Sequence, residues 1–289
     1  MATGTPREWR RVLVGSGNQR VLSVYRRGLA AGTTREGWLA IEGPILFADA
    51  VQLASYEGQT ENQERLKIHS VLATEREAER FAEPLRLLPK DTEITLTSER
   101  LFRRVAMTET PRGIAALVEL PQRDLDATLG RADALAVVAC GLQDPGNIGT
   151  MVRSAQAFGA AALLALNGTV SPFNPKALRS SAGAAFRLPL FTGLEQESLV
   201  LRLHGLGVRI VAAEGRSDRL LAEEDLRGRV AILIGQEASG LDEHLRRAAD
   251  SRVAIRIRRD TDSLNAAAAA TVFLYEAARQ RGFRFHEPV

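Results

Sequence analysis

The chain has 289 residues, 45% hydrophobic and 25% charged, with a formal net charge of +3. That balance belongs to a water-soluble globular chain long enough for two domains. No apolar run reaches the roughly 18 residues of a membrane span, and no apolar stretch follows the N-terminal charges, so neither an anchor nor a signal peptide is expected and a cytoplasmic location is.

One cysteine, Cys140, excludes an intramolecular disulfide and a multi-cysteine metal site. His69, His204, His244 and His286 are scattered without metal-ligand spacing, so no metal is expected. Three of the 38 basic residues are lysine (Lys67, Lys90, Lys176), which leaves 35 arginines. The planar guanidinium suits phosphate, so nucleic acid is a permitted partner, although codon bias produces the same excess.

In chain order, Arg7, Arg10, Arg11, Arg20, Arg26 and Arg27 make the N-terminal segment basic, either as a phosphate grip or as a solvated helix face. Gly15 and Gly17 begin a dinucleotide fingerprint. Arg20 stands where its third glycine belongs, so no such site is expected. Strands are predicted at Trp38–Glu42, Lys67–Ala73, Glu93–Thr97 and Ile114–Leu120, with helices at Pro44–Ala54 and Arg76–Phe81 and a short capped helix after Thr97-Ser98. These make a small α/β sandwich over 1–120. Residues 121–132, polar and opened by Pro121, read as a linker that is partly helical.

From 133 to 289 strands and helices alternate. Strands fit Ala134–Cys140, Ala161–Leu166, Val208–Ala213, Val230–Ile234 and Val253–Ile257. Helices fit 147–159, 174–182, 195–205, 242–248 and 263–281. The alternation predicts a mainly parallel sheet, covered on both faces, whose ligands bind beyond the carboxyl ends of the strands.

Three stretches near those ends stand out. In the first, Asn147 sits at a helix start and Ile148, Met151, Val152, Ala155 and Phe158 form an apolar stripe from which Arg153 points away. The second, Gly235-Gln-Glu-Ala-Ser-Gly-Leu241, puts Glu237 between glycines just past a strand. The third, Asp262-Ser-Leu-Asn265, precedes five alanines, with Asp262 or Ser263 as the expected helix cap. Each alone has a structural reading: a cap and a surface charge, a tight turn, a core helix.

Taken in order, N-x-x-x-x-x-R, I-G-x-E-x-x-G-L and S-L-N-x-x-x-A resemble the three signature motifs of the SpoU (TrmH) family of RNA ribose 2′-O-methyltransferases, of the SPOUT class. NPKALRSSAGAAFRLP at 174–189 resembles the segment between the first two motifs. SGNQRV, LAIEGPILFADA and TETPRGIAALVE resemble the family's L30e-like substrate-binding domain.

The resemblance implies an L30e-like RNA-binding domain at 1–120, a linker at 121–132, and a methyltransferase domain at 133–289 closed by a deep trefoil knot. S-adenosylmethionine would contact Ala213, Gly235, Ile255 and Leu264. Arg153 would act on the ribose 2′-OH, with Asn147, Glu237, Ser263 and Asn265 as orienting groups. A homodimer is implied, and an RNA substrate: ribosomal RNA, with transfer RNA as the alternative. A non-catalytic RNA-binding or ribosome-assembly protein on the same fold is the second reading. The chain departs from the family pattern at Arg256, where proline is usual, at Arg259, where glycine is common, and at Ala266, where valine is frequent.

Overall fold

A computed structural model describes residues 10–11, 19–55, 65–258, 260–261 and 263–285. The Gly15/Gly17 stretch, Arg7, Arg259, Asp262 and His286 lie outside them. By compactness the chain divides into Met1–Gln122 and Arg123–Val289.

The first unit comprises β1 (Arg10–Arg11), α1 (Gln19–Ala31), β2 (Leu39–Glu42), α2 (Pro44–Ala54), β3 (Lys67–Thr74), α3 (Glu75–Arg80), α4 (Ala82–Leu87), β4 (Glu93–Thr97), α5 (Glu99–Phe102) and β5 (Ile114–Glu119). Its mixed sheet runs β1-β4-β3-β5-β2, with β5 antiparallel to both β3 and β2. Thr74 and Ser98 cap α3 and α5 by accepting from Glu77 N and Leu101 N, as hydroxyls at that position do. The sequence reading omits α1. Tyr25, Gly28 and Leu29 form its buried face, and Tyr25 and Leu29 pack with Leu72, Phe102 and Leu117.

The second unit comprises α6 (Leu125–Leu129), β6 (Leu135–Ala139), α7 (Pro145–Ala157), β7 (Ala162–Leu166), α8 (Pro175–Ser181), β8 (Leu190–Leu194), α9 (Gln196–Gly205), β9 (Arg209–Glu214), β10 (Val230–Ile234), α10 (Glu243–Ala248), β11 (Ser251–Ala254) and α11 (Ala266–Gln280). All six strands are parallel, in the order β11-β9-β10-β6-β7-β8. From β6 the chain winds out to β7 and β8. It then returns on the other side through β9, β10 and β11. The winding therefore reverses between β6 and β10.

β6, β7 and β10 are buried along their full length, which accounts for their continuous apolar runs. β8 is absent from the predicted strands: it is a half-exposed edge strand following Pro189, with no apolar run to mark it. The last strand also shifts. It ends at Ala254, paired with Glu214 at the end of β9, so Ile255 and Ile257 leave the sheet.

Candidate functional site

Asp144 begins the first stretch by capping α7: its Oδ1 accepts from Gly146 N at 2.8 Å. Pro145 follows at the first helical position, where a missing N–H leaves no bond unmade. The Gly146 N–H, and then Lys176, whose Nζ lies 3.1 Å from Oδ1, hold the Asp144 carboxyl below the usual carboxylate range. Gly149 is required by packing. A Cβ there would stand 2.3 Å from the Ala177 carbonyl oxygen and 2.5 Å from Ser180 Cβ, where α7 meets α8. The capping reading therefore belongs to Asp144, and the Asn147 amide is left for other partners.

The third stretch supplies one of them. Asn265 caps α11, its Oδ1 accepting from Ala267 N at 3.0 Å and Ala268 N at 3.2 Å. The expected cap at Ser263 is not formed: Ser263 lies two residues earlier and is exposed. With its oxygen committed to the helix, Asn265 turns Nδ2 outward and donates to Asn147 Oδ1 at 2.9 Å. Asn147 in turn donates through Nδ2 to Glu237 Oε1. An amide has one acceptor end and one donor end, so the free N–H groups of α11 fix the orientation of both asparagines and deliver a donor to the carboxylate. Three loops far apart in sequence are thus joined by one directional chain. The buried face of α11 is Ala266, Ala267, Ala270, Phe273, Leu274, Ala277 and Ala278, whereas Ala268 and Tyr275 are exposed. The small residues let α11 pack on α7, and Ser154 and Thr271 exchange a hydrogen bond across that contact at 2.7 Å.

Beside the chain lies a cavity of about 140 Å³ at the ends of β9 and β10, closed by the residues after β11. Ala213, Gly235, Ile255 and Leu264 all line it, as do Glu237 and Ser263. Gly235 admits no side chain, since a Cβ would stand 2.3 Å from the Gly240 carbonyl carbon. The 235–241 loop folds back on itself through paired Gln236 and Gly240 backbones. Gln236 Nε2 also reaches Gly141 O at 2.7 Å, which ties this loop to the one that leads into α7. Gly141 has φ of 72° and would bring a Cβ to 2.8 Å from that Nε2. Sequence reasoning misses Gln236, because a variable position inside a motif carries no pattern. It also misses Glu214, Ile257 and Ala269 on the cavity wall. The wall is apolar at Ile234, Ile255, Ile257 and Leu264, with two carboxylates, Glu214 and Glu237. Glu214 is paired with Arg246, so the apolar wall and the Glu237 carboxylate together suit a flat apolar group joined to a cationic one.

Arg153 is not part of the chain. It is exposed and makes no hydrogen bond or ion pair with another described residue. Six residues separate it from Asn147, or about 9 Å along a helix axis. Arg256 is also exposed, on the rim of a second cavity of about 390 Å³ bounded by Leu220, Val272 and Tyr275.

Comparison with known proteins bears on this geometry. The sequence profile described as the SpoU rRNA Methylase family matches residues 134–275. A 23S rRNA uridine 2′-O-methyltransferase of Streptomyces viridochromogenes is 33% identical over 212 residues, covering 72% of this chain and 74% of that protein. A 23S rRNA guanosine 2′-O-methyltransferase of Bacillus subtilis is 33% identical over 192 residues, 65% of this chain and 75% of that protein. The structure of the SpoU methyltransferase AviRb from S. viridochromogenes, in complex with its cofactor AdoMet, superposes with a TM-score of 0.74 at 28% identity, covering 91% of this chain and 98% of that one. The chain belongs to the SpoU rRNA methylase family.

Proposed function

We propose that this protein transfers a methyl group from S-adenosylmethionine to a ribose 2′-OH of ribosomal RNA, and that it works as a homodimer in the cytoplasm. The observation that carries the reading is the Asn265–Asn147–Glu237 chain bordering a cavity lined by Ala213, Gly235, Ile255 and Leu264. The relatives that act on 23S rRNA, and the AviRb complex with AdoMet, support substrate and cofactor.

S-adenosylmethionine, when bound, supplies an electrophilic methyl carbon on a sulfonium. The apolar wall and the Gly235 backbone would hold it, with Ser263 and Leu264 at the cavity's edge. The asparagine chain fixes Glu237 at the rim. Methyl transfer also requires loss of the 2′-OH proton and alignment of oxygen, carbon and sulfur. The Arg153 guanidinium offers hydrogen-bond donors and no acceptor. Its role is therefore electrostatic: it binds the adjacent phosphate and stabilises negative charge developing on the 2′-oxygen, whose proton passes to solvent water as the oxygen–carbon bond forms and the carbon–sulfur bond breaks to leave a neutral thioether.

Arg153 is set apart from Asn147 within one chain, which supports a site completed by a second copy. The exposed side of α11 supports the same reading, with Val272 and Tyr275 accessible and Phe158, Tyr275, Phe283 and Phe285 in successive ring contacts at 5.8, 5.7 and 6.2 Å.

The first unit we assign to RNA recognition. Arg100, Arg103, Arg104 and Arg112 are exposed and form no ion pair with another described residue. They flank a loop held by the buried Glu42 carboxylate, which accepts from Met107 N at 2.8 Å and from the Thr108 hydroxyl. Transfer of label from S-adenosylmethionine to unmodified ribosomal and transfer RNA tests the whole reading. Alkali-resistant methylation of ribosomal RNA is expected, and its absence alongside intact cofactor binding would overturn the substrate assignment.

A further inference from the structure

One carboxylate on the cavity wall has no place in the three motifs. Glu214 is the last residue of β9, directly after Ala213, and lines the cavity together with Gly235, Ile255 and Leu264. Its Oε1 lies 3.1 Å from Nε of Arg246 on α10, with the two side chains 15% and 36% exposed. Oε1 and that Nε are sealed from solvent, yet neither makes a hydrogen bond of good geometry. Arg246 also extends over the neighbouring loop, since a Cβ on Gly240 would stand 3.4 Å from its terminal nitrogen. The guanidinium therefore lies against two residues of the cavity wall, Glu214 and Gly240, from outside the cavity.

A shielded ion pair lacking aligned hydrogen bonds is poorly compensated for its lost hydration, and further donors arriving at the carboxylate would offset that loss. The charge of the pair selects among them. Arg246 already neutralises the carboxylate, so the pair attracts a cation only weakly. Its unused lone pairs still accept from neutral hydroxyls. A vicinal diol offers two such donors side by side, and an acidic residue receiving a ribose hydroxyl is a recurrent arrangement in nucleotide-binding parallel sheets.

We propose that Glu214, held in place by Arg246, binds the ribose diol of the adenosine moiety of S-adenosylmethionine. The proposal rests on the reading of this cavity as the cofactor pocket. It makes Glu214 a cofactor-selecting residue, distinct from the groups that handle RNA.

The test is calorimetric binding without RNA, on the full chain and its Glu214→Gln and Glu214→Ala variants. The ligands are S-adenosylmethionine, 5′-methylthioadenosine, which keeps the diol and lacks the amino acid, and the 2′-deoxy form of the latter. Leu264→Trp, which blocks the apolar wall, is the control. Loss of hydrogen bonds to a charged group predicts that Glu214→Ala weakens S-adenosylmethionine and 5′-methylthioadenosine alike by about 10- to 100-fold. The 2′-deoxy compound should bind the wild type more weakly than its parent, and that difference should shrink or vanish in the variant. Should Glu214→Ala fail to fold, Glu214→Gln with the same ligand pair decides, because it keeps the shape while removing the charge.

If Glu214→Ala weakens S-adenosylmethionine but leaves 5′-methylthioadenosine unchanged, the carboxylate reads the amino-acid end and the proposal is wrong. Unchanged binding of all ligands, with Leu264→Trp still disruptive, likewise overturns it while leaving the pocket assignment intact. Failure of the wild type to bind S-adenosylmethionine, or normal binding by Leu264→Trp, would instead remove the pocket assignment itself.

Discussion

The two units use arginine in opposite ways. In the second, arginine is largely structural: Arg209 and Arg219 converge on the fully buried Glu224, Arg246 meets Glu214, and Arg281 donates to the carbonyls of Leu226 and Gly228. In the first unit, Arg80 and Arg86 pair with Glu77 and Glu83, but Arg100, Arg103, Arg104 and Arg112 are exposed and meet no carboxylate among the described residues. A composition of 35 arginines hides this division. Paired guanidinium groups hold loops together, while unpaired ones carry a field that reaches phosphate. Arg153 belongs to the second unit and is unpaired among the described residues, as are Arg179, Arg216 and Arg256; its place on α7, six residues after Asn147, sets it apart from them.

That position gives the largest expected effect. Arg153→Ala should reduce methyl transfer to RNA by about 100-fold or more, as loss of a charge-stabilising donor does. Its thermal midpoint should not move, because no intramolecular bond of a described residue is removed. Radiolabel transfer and a melting curve on the same preparation decide this. Wild-type transfer would place Arg153 with the ordinary surface charges. A lowered midpoint would place it with the structural arginines.

Next in size is Gly149→Ala. The added methyl would stand 2.3 Å from a carbonyl oxygen of α8, and overpacking of this kind costs about 1–3 kcal/mol. For a domain of this size that lowers the midpoint by roughly 2–4 °C per kcal/mol. Asn147→Ala should do the reverse, leaving the midpoint within about 2 °C and lowering transfer, because the asparagine links loops that other bonds already hold. Calorimetry on both variants separates the packing role of this turn from its chemical one.

The sequence is most readable where pattern and structure coincide. β6, β7 and β10 are fully buried and apolar throughout, and the bounds predicted for β4, α2 and β10 coincide with the observed ones. α1 escapes the pattern because its apolar positions are interleaved with arginines that invite an electrostatic reading. β8 escapes it because an edge strand shows no periodicity. Within the site, the motifs bring forward Asn147, Glu237 and Asn265 but not their relation to one another. That the α11 cap orients two amides in series depends on which residue caps the helix, and Asp262, Ser263 and Asn265 are all acceptable caps by type. Glu214 and Gln236 act through contacts between loops, to which spacing along one loop is blind.

A smaller effect sharpens the contrast between units through salt. If the first unit's arginines meet phosphate, replacing Arg100, Arg103, Arg104 and Arg112 by glutamine should weaken RNA binding. It should also flatten the slope of log affinity against log salt by about 0.7 for each phosphate of a single strand that is no longer neutralised. Cofactor affinity should be unchanged. An unaltered slope from filter-binding titrations would return these residues to the solvated surface.

The smallest effect is in acid, and it tests the structural side of the comparison. Asp225 receives hydrogen bonds from the Arg227 side chain and then from its backbone N–H, and its pKa is lowered to about 2 from 3.8. A folded-state value below the unfolded one means that the contribution is complete above pH 3.8 and is lost as pH falls through 3.8 towards about 2. The side chain is half exposed, so solvent and salt screen the pair and the stabilisation is modest. Asp144, lowered by the Gly146 N–H and Lys176, and Glu195, lowered by the Ser198 and Glu197 N–H groups, lose theirs in the same direction. Denaturant midpoints measured from about pH 6 down to about pH 2.5 should therefore fall, and Asp225→Asn should fall less steeply than wild type over the lowest part of that range. Parallel curves for the two proteins would mean that the Arg227 pair adds nothing to stability. The 225–228 loop would then be held by Arg209, Gln280 and Arg281.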